Sequence, residues 1–272
     1  MEQVDGRVVV VGGGVMGSVL VGAIRAAGFE PDDVVVVEPH PDKARVLATT
    51  LGVSIAPDVP GAVPGAQVVL LAVKPAVVPG VLTELAGRLD PSTLVVSVAA
   101  GVPLIAYEQA LPVGTPVVRV MPNTPAVVGK GAAAISAGSA ATEEHLSLTE
   151  RLLAATGLVV RVPEADLGAV TAISGSGPAY AFYLIDAMAE AGVLLGLTRD
   201  LAVRLAVATV EGAGALAART QESPTALREQ VSSPGGTTVA AVAELDAHGV
   251  RAGVVAAARA AHQRSVALGR PS

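Results

Sequence analysis

A glycine-rich turn near the N-terminus has the residue types and the spacing of a dinucleotide-binding site. The valine run Val8–Val11 leads into GGGVMG, a G-x-G-x-x-G pattern that opens a helix. In this pattern Gly12 permits the tight turn, Gly14 lets a pyrophosphate approach the backbone, and Gly17 lets the helix pack closely on the strand. A glycine turn that serves packing alone is the alternative, but the strand before it and the helix after it favour dinucleotide binding.

The start of this helix and the end of the next strand supply the rest of such a site. The N–H groups of Val15 and Met16 lie in the first helical turn, where they have no partner within the helix and would bind the phosphates. A second valine run, Val34–Val37, ends at Glu38, which lies 21 residues beyond Gly17. At that distance a carboxylate that binds a ribose 2′-hydroxyl is expected.

Glu38 also bears on which dinucleotide binds. Its carboxylate would repel a 2′-phosphate and favour NADH, but His40, Lys43 and Arg45 follow closely. The carboxylate could turn away and let a cation approach, or it could be a solvated acid at a strand end. The sequence therefore leaves the choice between NADPH and NADH open.

Three later strand ends carry small or polar residues that suit the other half of a dinucleotide. Lys74 follows the third predicted strand and could contact a ribose or a phosphate, or form only a salt bridge. The segment Ser97–Gly101 consists of small residues, as the close approach of a flat ring requires. The rigid turn Arg119–Pro125 presents one amide, Asn123. Ligands of such sheets bind at the carboxyl ends of the strands, so these residues are expected along one rim.

The elements that position these residues divide the chain into two regions, predicted as domains 1–163 and 164–272. In the first region, short apolar runs alternate with longer helical stretches, which predicts a doubly wound α/β domain of the Rossmann type with a parallel sheet buried on both faces. The predicted strands are Val8–Val11, Val34–Val37, Val68–Val73, Leu94–Val98, Val117–Val120, Ala132–Ile135 and Leu158–Val162. The predicted helices between them are Val15–Ala27, Pro41–Leu51, Val77–Leu89 and Thr142–Thr156.

The second region is predicted to be entirely helical. Its helices are Ala179–Leu197, Arg199–Arg219, Pro224–Val231, Thr237–His248 and Val250–Leu268. The first of them is apolar on almost every side, which predicts burial in a core or in a subunit interface. Five helices form a thin core for such faces, so oligomerisation is favoured over a compact monomeric bundle.

A second candidate site lies in this helical region, in the loop Ser232–Thr238. Two glycines precede the hydroxyls of Thr237 and Thr238 at the start of a helix, and N–H and O–H donors arranged in this way form an anion-binding cradle. The loop contains no Lys or Arg, so these N–H groups and hydroxyls, including that of Ser233, would meet the negative charge. An ordinary Thr N-cap is the alternative.

The composition excludes several other kinds of site. The chain has 272 residues and no Cys, so disulfides, thiolate metal sites and Cys nucleophiles are excluded. The four His lie far apart in the sequence, and no metal site is expected. The net charge of −6 offers no basic surface for nucleic acid.

No association with a membrane is expected either. The longest charge-free run, residues 167–185, is interrupted by SGSGP, which suits a lipid-facing helix poorly. The N-terminus is acidic and lacks an apolar signal core. The sequence therefore predicts a soluble cytoplasmic protein with a small-molecule substrate.

Six motifs taken together resemble one known family. VGGGVMG, LAVKP, SVAAGV, RVMPNTPA, SGSGPAYAF and QVSSPGGTT occur in this order, and the chain resembles the pyrroline-5-carboxylate reductases over essentially its whole length. The resemblance implies an N-terminal Rossmann domain, a C-terminal helical dimerisation domain, and homodimers assembled into a decamer. It also implies hydride transfer from NADPH or NADH to the C=N carbon of 1-pyrroline-5-carboxylate, which gives L-proline.

The resemblance further implies roles for particular residues. The nicotinamide half of the cofactor would be lined by Ala72, Val73, Lys74, Pro75, Val98, Ala99, Ala100 and Asn123. The substrate carboxylate and ring would be held by Ser233, Gly236, Thr237 and Thr238, of which Ser233 and Thr238 are the catalytic candidates. Thr238 could hydrogen-bond the ring nitrogen, and because a hydroxyl is a poor acid its expected role is positioning.

One departure and two alternative functions accompany this interpretation. Many relatives carry a small hydroxyl or an Asn/Arg pair after the second strand, which accepts a 2′-phosphate. This chain has EPHP there, so the resemblance does not extend to a preference for NADPH, although it does extend to the reaction. Another two-domain imine or 3-hydroxyacid oxidoreductase is one alternative, but a 3-hydroxyacid enzyme usually needs a Lys in the second domain, and all three Lys lie within the first 130 residues. The other alternative, a catalytically silent dinucleotide sensor, would need no carboxylate cradle.

Overall fold

The computed structural model describes residues 6–220 and 222–269, which form two compact units. The sheet unit is built from the chain up to Gly175 and from His262 onward, and the helical unit runs from Ser176 to Ala261. The predicted domain bounds 1–163 and 164–272 stay a prediction. The two units are defined by how densely the chain packs, and such a unit need not begin and end where a domain does.

The sheet unit contains one eight-stranded sheet in the order β3-β2-β1-β4-β5-β6-β7-β8. This order reverses between β1 and β4, which places a crevice at the carboxyl ends of these two strands. The strands are β1 Arg7–Val11, β2 Val34–Val37, β3 Ser54–Ala56, β4 Ala66–Leu71, β5 Leu94–Ser97, β6 Val117–Met121, β7 Gly131–Ala137 and β8 Gly157–Arg161.

Helices cover both faces of this sheet. They are α1 Val15–Ala26, α2 Pro41–Leu51, α3 Val59–Ala62, α4 Val78–Leu85, α5 Leu104–Ala110, α6 Glu143–Leu153 and α7 Leu167–Val170, followed by a π-helical turn at Thr171–Gly175. Alternate residues of β1 point to opposite faces: Val8 and Val10 pack with the cluster that contains α1, and Val9 and Val11 pack with the cluster that contains α4. The predicted doubly wound α/β fold is confirmed.

The prediction of a parallel sheet buried on both faces is wrong for the last two strands. β7 runs antiparallel to β6, because the connection of residues 122–130 is too short for a crossover to a parallel strand. β8 is an edge strand, and its Leu158 and Val160 are 62% and 39% exposed. Apolar runs mark strands but do not encode their direction.

The helical unit contains the remaining helices: α8 Gly177–Leu194, α9 Arg199–Thr220, α10 Pro224–Gln230, α11 Thr237–Ala247 and α12 Val250–Leu268, the last of which continues into the sheet unit. α8 and α9 pack closely, since a Cβ on Gly192 would lie 2.9 Å from the Cβ of Ala202. Gly196, with a φ of +97°, makes the turn between them.

This unit buries very little of its own apolar surface. Among its described residues only Ala189, Ala202 and Ala206 are buried, whereas Tyr183 and Leu194 are more than four-fifths exposed. A compact monomeric bundle, the alternative to the predicted oligomer, would bury such side chains. By length and composition alone, α9 is the one described helix that could cross a membrane, a test that core helices of soluble proteins also meet.

Candidate functional site

The predicted cofactor residues follow the carboxyl ends of five neighbouring strands at one edge of the sheet. The segments after β1, β2, β4, β5 and β6 all lie there because β1 to β6 are mutually parallel. Backbone hydrogen bonds join adjacent segments: Gly12 N–H donates to Val37 O, Ala72 N–H to Val11 O and Val98 N–H to Leu71 O. The structure thus joins the segments after β1, β2, β4 and β5 into one rim, and the segment after β6 follows a strand that pairs with β5.

Each glycine of the GGGVMG turn has a different neighbour. Gly12 has a φ of +109°, and a Cβ there would lie 2.8 Å from the carbonyl oxygen of Ala72. A Cβ on Gly17 would collide with the carbonyl oxygen of Gly12, so Gly17 brings α1 against the turn. A Cβ on Gly14 would meet nothing within 4 Å. Gly14 therefore borders open space, which a pyrophosphate could fill.

The helix start beside Gly14 is open to a ligand. Gly14 is the N-cap of α1 and supplies no side-chain cap, and the first backbone hydrogen bond of the helix runs from Ser18 N–H to Gly14 O. The N–H groups of Val15, Met16 and Gly17 precede that bond and point out of the helix start. These N–H groups form the positive end of the helix dipole, which attracts the negative phosphates of a dinucleotide.

Glu38 is buried beside this turn and bonded on one side only. Its Oε1 accepts hydrogen bonds from the backbone N–H (3.1 Å) and the Nδ1 (2.8 Å) of His40. Its Oε2 lies 3.2 Å from the position that a Cβ on Gly13 would occupy. Burial raises the pKa of Glu38, but the hydrogen bonds from His40 and the charge of Lys43 more than offset it, so the pKa lies below its ordinary value. The carboxylate is charged and faces the turn.

The rim after β4 and β5 carries Lys74 and the small residues Val98–Ala100, whose predicted contacts with a cofactor stay a prediction. Lys74 is exposed and precedes a short 3₁₀ turn, Pro75–Val77. In the segment that follows β5, Ala99 is buried and Ala100 is exposed. No ion pair is recorded for Lys74 among the described residues, so the salt-bridge alternative has no support in this structure.

A buried hydroxyl pair supports this segment and was not predicted. Ser97 Oγ and the hydroxyl of Tyr107 lie 2.6 Å apart, and Ser97 Oγ also accepts from Ala99 N–H at 3.3 Å. Burial is the main reason why the pKa of Tyr107 is raised. Tyr107 could not be assigned from the sequence because α5 itself was not predicted.

An ion pair next to this hydroxyl pair joins three elements and was also missed. Arg119 Nη1 lies 2.7 Å from Glu164 Oε1, which also accepts from Leu104 N–H at 2.7 Å. The two side chains come from β6 and from a turn 45 residues later. No sequence pattern links residues so far apart.

Asn123 lies at the rim, but its amide is engaged within the protein. Its Nδ2 donates to Ser174 O at 3.0 Å, and its Oδ1 accepts from Ala132 N–H at 2.8 Å. The side chain therefore ties the turn after β6 to β7 and to the π-helical turn. The predicted contact between Asn123 and a cofactor stays a prediction. Because both ends of the side-chain amide are already hydrogen-bonded, such a contact would be made by the backbone of Asn123.

The Ser232–Thr238 loop leads into the start of α11 and leaves it without a side-chain cap. Gly236 is the N-cap of α11 and no side chain caps this helix, so the Thr N-cap alternative is wrong. The loop is closed by a hydrogen bond from Gly236 N–H to Ser233 O, and Gly235 has a φ of +68°. Within the described chain, no hydrogen bond is recorded for the hydroxyls of Ser233, Thr237 and Thr238. These hydroxyls and the first N–H groups of α11 are thus available donors.

Within residues 6–220 and 222–269 no cluster of three or more His, Asp or Glu residues could hold a metal ion. The two donor sets belong to different units: the dinucleotide rim to the sheet unit and the hydroxyl loop to the helical unit. The arrangement offers N–H groups, hydroxyls and one carboxylate, which can bind and orient charged ligands.

Comparisons with known proteins find the same kind of relative for both parts of the chain. The family model of pyrroline-5-carboxylate reductase dimerisation matches residues 164–268, and that of NADP oxidoreductase, coenzyme F420-dependent, matches residues 7–101. The pyrroline-5-carboxylate reductase of Corynebacterium melassecola is 43% identical over 97% of this chain and 98% of its own length.

Two solved structures are similar along their whole length. The pyrroline-5-carboxylate reductase of Coxiella burnetii has a TM-score of 0.93 and 35% identity, over 98% of this chain and 99% of that one. The pyrroline carboxylate reductase of Plasmodium falciparum, solved with NADP bound, has a TM-score of 0.86 and 26% identity, over 98% of this chain and 100% of that one.

Proposed function

The chain belongs to the pyrroline-5-carboxylate reductase family, and from that premise we propose how its own residues perform the reaction. It is an oxidoreductase that reduces 1-pyrroline-5-carboxylate to L-proline with NAD(P)H, the last step of proline biosynthesis. The resemblance of the six motifs is confirmed, and the hydroxyacid enzyme and the silent sensor are set aside.

We propose that the rim of the sheet unit binds the cofactor. The open space at Gly14 and the uncapped start of α1 fit the pyrophosphate, and Glu38 Oε2 fits a ribose hydroxyl. The small segments after β4 and β5 would line the nicotinamide, which supplies the hydride. The observation that supports this assignment is the space at Gly14, because a turn made for packing would fill it.

The loop of the helical unit is proposed to bind the substrate. Ser233, Gly236 and Thr237 surround the start of α11, and their N–H and O–H groups would hold the carboxylate without any Lys or Arg. Thr238, one residue further into the helix, would hydrogen-bond the ring nitrogen. A hydroxyl is too weak an acid to protonate the imine on its own, so Thr238 positions a ring that is protonated from solvent.

Hydride transfer to a cyclic imine needs alignment more than acid–base groups. A protonated C=N bond is already electrophilic, so the hydride adds to its carbon while the bond electrons pass to nitrogen and give the amine of proline. What the protein contributes is orientation and charge complementarity at both ligands. This agrees with a site that offers hydroxyls and N–H groups.

The dimerisation region explains why the helical unit buries so little of its surface. A homo-oligomer covers the apolar side chains that a single chain leaves exposed, and the family match to this region supports a dimer. We further propose a decamer of five dimers located in the cytoplasm, on the resemblance to the family.

The test of the proposed function is one spectrophotometric assay. Purified protein is mixed with 1-pyrroline-5-carboxylate and either NADPH or NADH, and the loss of nicotinamide absorbance is followed together with the appearance of proline. Stoichiometric formation of proline with at least one cofactor is expected. Failure of a folded oligomer to oxidise either cofactor would contradict the proposal.

A further inference from the structure

We infer that His40 is a positioning residue that fixes the carboxylate of Glu38 over the glycine-rich turn and thereby biases the enzyme towards NADH. This inference rests on the proposed cofactor site in the sheet unit and goes beyond it, because it names the residue that sets the cofactor preference.

The backbone of Glu38 is fixed before its side chain is considered. Glu38 follows the last residue of β2, and its N–H donates to Ala56 O at the end of β3 (3.1 Å). On the other side, Val37 O accepts from Gly12 N–H, which ties the same strand end to the glycine-rich turn. The Cα of Glu38 therefore has one defined place beside the turn.

His40 then selects the direction of the carboxylate. An ionised carboxylate can only accept hydrogen bonds, so the His40 Nδ1 that lies 2.8 Å from Oε1 carries a proton. Together with the backbone N–H of His40, it occupies Oε1 with two donors. Oε2 has no recorded hydrogen bond in the described chain and lies 3.2 Å from the position that a Cβ on Gly13 would occupy, next to the glycine-rich turn.

The segment around His40 is built to hold this contact. Pro39 and Pro41 flank His40, and a proline restricts both its own φ and the backbone of the residue before it. His40 is the N-cap of α2 but makes no side-chain cap, so its ring is free to bond Glu38 instead. The ring is 70% exposed while the side chain of Glu38 is 8% exposed, so the contact joins a solvent-exposed donor to a buried carboxylate.

This arrangement has a direct consequence for cofactor choice. A carboxylate fixed in this place would accept a hydrogen bond from a ribose hydroxyl of NADH through Oε2, and it would repel a 2′-phosphate. If the carboxylate could rotate towards solvent, the repulsion would weaken and the hydroxyl would lose its acceptor. The ratio of the two dissociation constants therefore reports on the contact between His40 and Glu38.

The experiment measures the dissociation constants of NADH and NADPH by calorimetry on the substrate-free oligomer. His40→Ala removes the donor, and His40→Asn keeps an N–H donor at the position of Nδ1. Arg45→Gln is the matched control, because Arg45 is a nearby exposed cation that pairs with Asp42 and not with Glu38. A double-mutant cycle adds Glu38→Gln and the double variant Glu38→Gln/His40→Ala.

For His40→Ala we expect the ratio of the NADPH to the NADH dissociation constant to fall about tenfold, the size of one hydrogen bond to a charged group. His40→Asn and Arg45→Gln should keep the wild-type ratio. In the Glu38→Gln background, His40→Ala should have no further effect on it.

Two results would overturn the inference while leaving the proposed function intact. One is an unchanged ratio in His40→Ala, which would show that Glu38 holds its place unaided. The other is a selective loss of NADPH affinity, which would show that His40 binds the 2′-phosphate directly. Absence of binding of either dinucleotide to the wild type would overturn both the inference and the proposed cofactor site.

Discussion

Gly14 allows cofactor binding to be separated from folding, because its surroundings differ from those of the other glycines in the turn. A Val at position 14 would enter the open space next to the start of α1, whereas a Val at position 17 would collide with the carbonyl oxygen of Gly12. We expect Gly14→Val to abolish NADPH and NADH binding with little change in melting temperature. Gly17→Val, as the comparison, should lower the melting temperature as well. Unchanged cofactor affinity in Gly14→Val would show that the turn serves packing alone.

Thr238 tests the substrate loop in the same way. Because its hydroxyl has no recorded partner in the described chain, its loss should leave the fold intact and remove one hydrogen bond to the bound substrate. We expect Thr238→Ala to lower kcat/KM for 1-pyrroline-5-carboxylate about ten- to a hundredfold, the range of a hydrogen bond to a charged group. Cofactor dissociation constants should not change.

Ser223 provides the control for this variant. Its hydroxyl accepts from Ala226 N–H and caps α10, a structural role in the same unit. Ser223→Ala should therefore lower stability by about 1 kcal/mol and leave kcat/KM unchanged. If Thr238→Ala shows that same pattern, Thr238 is structural and the substrate site lies elsewhere.

At the level of elements, the Ser97–Tyr107 pair connects α5 to the segment that follows β5. In Tyr107→Phe the buried Ser97 hydroxyl loses one of its two partners and keeps only the Ala99 N–H, so the Val98–Ala100 segment loses part of its support. We expect the free energy of unfolding in urea to fall by about 1–3 kcal/mol and KM for the cofactor to rise, with a smaller change in kcat. Equal stability of the two proteins would contradict a supporting role for this pair.

The sequence predicted the elements whose residues pack in a regular pattern. The valine runs of β1 and β2 and the long helix α12 were predicted within a residue, because burial on both strand faces and helical periodicity leave clear signals. Short elements such as β3 and α5 were missed, since three to seven residues carry too little periodicity. β7 was predicted as a strand, but its antiparallel direction was not, because direction depends on the connection and not on composition.

The candidate site was predictable only where function leaves a local motif. Gly14 and the loop around Gly236 are recognisable from neighbouring residues alone. The engaged amide of Asn123 was not predictable, because its partner Ser174 lies 51 residues away. The contact between His40 and Glu38 is local, but only the folded chain shows which carboxylate oxygen it occupies.

For the molecule as a whole, stability should depend on association. The helical unit buries only three of its described residues, which is too little apolar surface for a stable fold by itself, so we expect its folding to be coupled to dimerisation. We expect a dimer or a larger oligomer in sedimentation velocity. A tenfold rise in protein concentration should raise the apparent free energy of unfolding by about 1.4 kcal/mol. A monomeric mass with a urea midpoint independent of concentration would contradict this.

In the active enzyme, the N–H and O–H groups at the start of α11 are proposed to bind the substrate carboxylate. The most direct test compares 1-pyrroline-5-carboxylate with 1-pyrroline, the same cyclic imine without the carboxylate, in steady-state assays with saturating cofactor. We expect kcat/KM for 1-pyrroline to be lower by at least about tenfold, since the loop would lose its charged ligand. Equal kcat/KM for the two imines would show that no carboxylate is bound in the active enzyme and would contradict the proposed substrate site.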